Sequence, residues 1–202
     1  MMHNLDRTQI KRWTRSLRIL TKTLLAAVLF LGWSQGPIAA QEAWTPVAEG
    51  FPRTAAEVSG FQTTTGHLEM WEYLEGLKAT STDMALGTYG TTWEGRKIPY
   101  AVFSKPLVTQ PWEAWALDRP IVVLAANVHG GERTFREGLL ILMRDFATPG
   151  THANSLLDRV TVVVAPQINP DGYEASERGS RGNAWGIDLN RDYVKLEQPA
   201  LA

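Results

Sequence analysis

The sequence predicts an α/β fold in which a mixed, largely parallel sheet carries helices on both faces. Three observations predict it. Residues 121–126, all apolar, and 160–165, apolar but for Thr161, are runs of strand length, as expected of strands covered on both faces. Between them, residues 132–146 set Leu139, Leu140, Leu142 and Met143 in one helical stripe. A buried strand, a helix and a second buried strand in succession favour a layered arrangement with parallel pairing.

The elements follow in order. Residues 41–65 hold Pro46, Pro52, Gly60 and the run Thr63-Thr64-Thr65, which predicts an irregular lead-in. Residues 66–79 carry Leu68, Trp71, Leu74 and Leu77 at helical spacing, with Glu69, Glu72 and Glu75 on other faces. Residues 85–92 and 97–104 are β-rich and are joined by Trp93-Glu94-Gly95-Arg96, which predicts a hairpin. Residues 105–119, with Pro106 and Pro111, predict a loop. Pro149-Gly150 ends the 132–146 helix and Pro166 closes the second buried strand. No internal repeat or low-complexity segment is present.

The charge is unevenly distributed. Of 20 basic and 21 acidic residues, six bases and one acid lie in residues 1–40, leaving 14 bases against 20 acids. An acidic remainder gives no support for nucleic-acid binding, which goes with a basic face. Residues 1–40 have the form of an export signal: a basic start, an apolar stretch from Thr23 to Trp33, then Pro37-Ile38-Ala39-Ala40. That stretch is shorter than the roughly 20 apolar residues needed to span a bilayer. The expectation is cleavage after Ala40, no stable membrane span, and a periplasmic or extracellular location. A retained membrane anchor is the alternative. The chain has no cysteine, which excludes disulfides, thiolate metal sites and a cysteine nucleophile.

His129-Gly130-Gly131-Glu132 follows the first apolar strand directly. An imidazole and a carboxylate three residues apart, where a buried strand turns outward, can converge on one cation, and such donors suit Zn²⁺. Open α/β sheets place their ligands at this end of their strands. Asn169-Pro170-Asp171-Gly172-Tyr173 follows the second strand and reads locally as a turn. A third cluster comprises Arg181 and then Gly186-Ile187-Asp188-Leu189-Asn190-Arg191-Asp192-Tyr193. An arginine fork can take a carboxylate bidentately, with an adjacent amide completing the grip.

Taken in order, the three clusters resemble the zinc metallocarboxypeptidases of the M14 family over roughly residues 66–197, and Trp93-Glu94-Gly95-Arg96 looks like that family's early turn. The resemblance implies a zinc-carboxypeptidase-like fold and a peptide substrate. It implies that His129 and Glu132 are Zn²⁺ ligands and that Arg181 stabilises the oxyanion. Arg181 is preferred to Arg178 because it lies nine residues before Asn190. Asn190 and Arg191 would hold the terminal carboxylate, Asp171 and Gly172 would shape the turn beneath the metal, and Asp188 would support the site or the fold.

The family pattern also implies a third zinc-binding histidine and a general-base glutamate beyond the Asn-Arg pair. No histidine follows His152, and the only acid after Asp192 is Glu197. The expected organisation is therefore a signal peptide at 1–40, a lead-in at 41–65, and a partial peptidase domain at 66–202, truncated before its C-terminal strands. The expected function is an exported zinc-dependent metallocarboxypeptidase that releases C-terminal residues through metal-activated water. Hydrolysis of murein peptides or of N-acyl amino acids is a variant of the same chemistry. The alternative is an inactive truncated remnant or a carboxylate-binding module.

Overall fold

The computed structural model describes residues 49–175 and 179–200. The expected leader at 1–40 and Arg178 lie outside the described residues. Helix α1 (Ala55–Val58) is closed by a capping box in which the Thr54 hydroxyl accepts from the Glu57 amide and Glu57 accepts from the Thr54 amide. Helix α2 (His67–Thr80) buries Met70, Tyr73, Leu74 and Leu77. Strands β1 (Met84–Thr91) and β2 (Lys97–Phe103) form the expected hairpin, antiparallel from Met84↔Phe103 to Thr91↔Lys97. The segment expected as a loop contains a short helix, α3 (Pro111–Ala116); proline at its first position has no amide to leave unpaired.

Strand β3 (Ile121–Ala125), helix α4 (Arg133–Ala147), helix α5 (His152–Leu156) and strand β4 (Thr161–Ala165) complete the layered core. The sheet order is β1-β2-β4-β3, with β3 and β4 parallel and the other pairings antiparallel. A mixed α/β architecture is thus in place, and its parallel pair is the one joined through α4. The core packs Met70, Leu74 and Leu77 of α2 and Leu140 and Met143 of α4 against Phe103, Val162 and Val164 of the sheet. The sheet order runs β2 between β1 and β4, which explains why Ala101 and Phe103 have no exposure.

One expectation is corrected. The apolar run of β3 predicted a strand covered on both faces, yet Val123 is 66% exposed, and Ile121 and Val122 are also exposed. Among the described residues β3 is an outer strand, at the opposite edge from β1, and its apolar sequence supplies no neighbour of its own. Burial of such a run depends on partners that a local pattern does not encode.

Two further devices hold the lead-in to the core. Arg144 of α4 donates through both terminal nitrogens to the Glu57 carboxylate, at 2.6 and 2.8 Å, in a buried pair. Glu137 accepts from the Thr65 amide and hydroxyl at 2.9 and 2.7 Å. No helix among the described residues is long and apolar enough to cross a membrane.

Candidate metal centre

The site grows from the two loops that leave β3 and β4 side by side. The ladder continues past the strands: the Ile168 and Asn169 amides donate to the carbonyls of Ala126 and Asn127. Asn127 then adopts φ +58, a left-handed conformation that asparagine tolerates better than most residues. Its side-chain amide donates to the carbonyls of His129 (2.9 Å) and Gly130 (3.3 Å) and, more weakly, of Glu132 (3.4 Å). The sequence reading missed Asn127. An asparagine between a buried strand and a glycine pair is the signal that points to it.

Gly130 has a packing reason. A Cβ there would collide with the backbone of Gly172 and Tyr173, and a Cβ at Gly172 would meet the Gly182 carbonyl and the Asn169 side chain. The two loops therefore touch backbone to backbone, which only glycine allows. The Asn169-Pro170-Asp171-Gly172-Tyr173 segment is a helical turn, α6 (Pro170–Glu174), capped by the Asn169 side chain accepting from the Gly172 amide. Asn169 also donates to the Val128 and Gly182 carbonyls at 3.2 Å each. Asp171, fully buried, accepts from the Thr92 hydroxyl (2.7 Å), the Glu94 amide and the Arg96 guanidinium (2.8 Å), tying the β1–β2 turn beneath the site. The guanidinium groups of Arg133 and Arg136 lie over the Tyr173 ring at 4.3 and 4.1 Å, which fastens α6 to the start of α4.

On this frame His129 and Glu132 converge: Nδ1 of His129 lies 2.6 Å from Oε1 of Glu132. The other ring nitrogen, Nε2, lies 3.0 Å from Oδ1 of Asp188. His129 is buried, whereas the Glu132 side chain is half exposed, so the pair opens toward solvent from one side. Asp188 caps the 3₁₀ turn Leu189–Arg191 by accepting from the Asn190 amide at 2.9 Å, and its second oxygen accepts from Nε of Arg181 at 2.9 Å. One carboxylate thus meets the imidazole, the arginine and the first amide of the Asn190-Arg191 turn.

The charges respond to this proximity. Glu132 is held below the ordinary carboxylate range, chiefly by the His129 hydrogen bond, with the Arg181 charge adding to it. Desolvation pushes the Asp188 carboxyl up, but hydrogen bonds from His129, the Asn190 amide and Arg181 outweigh it and hold it low. Both acids are anionic at neutral pH. An imidazole nitrogen and a carboxylate oxygen face each other here, with a second carboxylate against the opposite ring nitrogen: two donors of the kinds that divalent metals accept. Among the described residues no group of three or more such side chains is placed to hold a metal ion.

Of the residues singled out in the sequence, His129, Glu132 and Arg181 are joined through Asp188. Asn190 reaches the cluster through its backbone, its side chain exposed. Arg191 is exposed and donates to the Asn190 carbonyl at 3.1 Å. The bridging part of Asp188 was not legible from spacing alone.

Comparison with known proteins gives a consistent picture. The zinc carboxypeptidase family model matches residues 70–200. Carboxypeptidase 2 of Trichophyton tonsurans is 34% identical over 105 residues, covering 51% of this chain and 18% of that protein. The human carboxypeptidase N catalytic chain is 32% identical over 121 residues, covering 53% of this chain and 25% of its own length. The chain therefore spans a quarter or less of these relatives. The crystal structure of a metallo-carboxypeptidase from Burkholderia cenocepacia superposes with a TM-score of 0.55 at 24% identity, over 66% of this chain and 35% of that one, which shows a shared fold. With its motif order, its fold and this family match in agreement, the chain belongs to the zinc carboxypeptidase family.

Proposed function

We propose that this chain carries site residues of an exported, zinc-dependent metallocarboxypeptidase that removes C-terminal residues from peptides. The observation that carries the reading is the His129–Glu132 pair at 2.6 Å, with Asp188 fixing the far side of the imidazole. His129 and Glu132 would hold the metal. Zinc in such a site lowers the pKa of a coordinated water and polarises a carbonyl. With the metal in place, Nδ1 of His129 would face the ion beside Glu132, and Nε2–H would donate to Asp188, which lies 3.0 Å from it.

The remaining roles belong to the cations. Arg181 commits Nε to Asp188 and has a side chain 61% exposed, so its outer nitrogens face the solvent from which a substrate arrives. Fixed positive charge there would stabilise the oxyanion as it develops at the scissile carbonyl. Asn190 and Arg191, exposed on the adjoining turn, would grip the terminal carboxylate of the peptide. The basic start, apolar stretch and Ala39-Ala40 of residues 1–40 support export.

The test is hydrolysis of an N-acylated dipeptide with a free carboxylate, set against its C-terminal amide, by the purified chain with zinc. Release of the terminal amino acid from the free acid alone supports the reading. A second reading, carboxylate binding without turnover, is favoured by the two metal donors that the described residues supply. Binding of the free acid with no release of product would select it.

A further inference from the structure

The loop between Arg181 and Asp188 is fastened at three levels, and the outermost fastening is aromatic. At its base Nε of Arg181 donates to Asp188 at 2.9 Å. At its waist Asn183 closes a turn: its amide donates to the Ile187 carbonyl, and its side-chain oxygen accepts from the amides of Trp185 and Ile187. At its tip Trp185 packs on Trp93, ring centroids 4.9 Å apart and planes tilted by 30°. Trp93 belongs to the β1–β2 turn, so this contact joins the far end of the loop to a different part of the fold.

Gln198 keys the two together. Its side-chain oxygen accepts from the Trp93 indole at 3.1 Å and from the side-chain amide of Asn183 at 2.6 Å. Its own amide donates to Asp192 at 2.8 Å, and Asp192 closes the turn that holds Asn190 and Arg191. Both indoles are largely exposed, Trp93 at 49% and Trp185 at 67%. Their burial is too slight for them to serve as core. Within the loop the tip is closed by backbone and side-chain bonds through Asn183.

We propose that Trp93 and Trp185, keyed by Gln198, are positioning residues: a latch that fixes the segment between Arg181 and Arg191 and thereby the grip on a peptide carboxylate. The binding half of this inference rests on the function proposed above, whereas the mechanical half does not. An aromatic pair contributes enough to shift a local opening equilibrium by about two- to tenfold. Opening of the tip would loosen the segment that carries Asp188 and the Asn190 turn, while the main chain of His129 and Glu132 stands apart from it on the β3 loop and at the start of α4.

Two variants and two readouts test the latch. Amide hydrogen exchange at Ile187, Asn190 and Arg191 is measured in wild type, W185A and W185F, together with dialysis binding of an N-acetyl dipeptide as free acid and as amide. The latch predicts about two- to tenfold faster exchange in W185A, an equal weakening for the free acid alone, and recovery of both in W185F. Exchange in W185A matching wild type, or W185F behaving as W185A does, overturns it. If wild type fails to bind the free acid, the proposed function fails while the exchange result still decides the latch. Because Trp185 is on the surface, an unchanged unfolding midpoint in both variants separates loop opening from loss of fold.

Discussion

Nε2 of His129 lies 3.0 Å from Oδ1 of Asp188, a carboxylate 59 residues further along the chain. The same side chain takes Arg181 on its other oxygen and the Asn190 amide on the first. A single anion therefore orients the candidate ligand, restrains the candidate oxyanion group and caps the turn of the candidate carboxylate grip. This concentration of duties makes Asp188 the most informative position to alter.

D188N keeps the shape of the side chain but removes its charge. Partners of this kind behind a metal-binding histidine are worth about 10–100-fold in metal affinity. D188N is expected to weaken zinc binding by that factor in a chelator competition. Affinity equal to wild type would show that the carboxylate serves only the 3₁₀ turn.

G130A tests the contact between the two loops. An added methyl meets main chain rather than a movable side chain, so the loops must separate. Overpacking of this kind costs about 1–3 kcal/mol. Urea denaturation should show a loss of at least that size, whereas G138A, where a Cβ meets open space on an exposed helical position, should be neutral or stabilising.

Acid sensitivity should trace to the Glu57–Arg144 pair. Burial pushes Glu57 upward, but hydrogen bonds from Arg144 and the Thr54 amide prevail and hold it below its ordinary 4.5. A depressed carboxyl binds its proton less readily when folded than when unfolded. Its stabilisation is therefore present above pH 4.5 and is lost as pH falls through the lower folded value. His67 works in the same direction: burial holds its imidazole below its ordinary 6.5, so folding weakens as the unfolded state takes up the proton. The unfolding free energy from urea denaturation is expected to fall from neutral pH toward pH 3, and that of E57Q to start about 3 kcal/mol lower with a shallower acid slope. An identical slope in E57Q would remove Glu57 from the account.

Much of this was legible in the sequence because it is local. Apolar periodicity located α2 and α4, and short apolar runs located β3 and β4, to within a residue or two. Trp93-Glu94-Gly95-Arg96 gave the hairpin turn. The exposure of Val123 was not legible, since burial of an outer strand depends on what lies beside it. Helix α3 was hidden by the two prolines around it, one of which begins it. In the site, His129 and Glu132 were found as a pair because they are three residues apart. The contributions of Asn127, and of Asp188 toward His129, arise from a left-handed backbone and a contact across 59 residues, and neither leaves a periodic trace.

Calorimetric titration of Zn²⁺ into the wild-type chain, H129A and E132A tests the central claim most directly. The account predicts saturable binding of one ion by wild type and its loss in each variant while the fold is retained. Zinc binding that persists undiminished in both variants would contradict it.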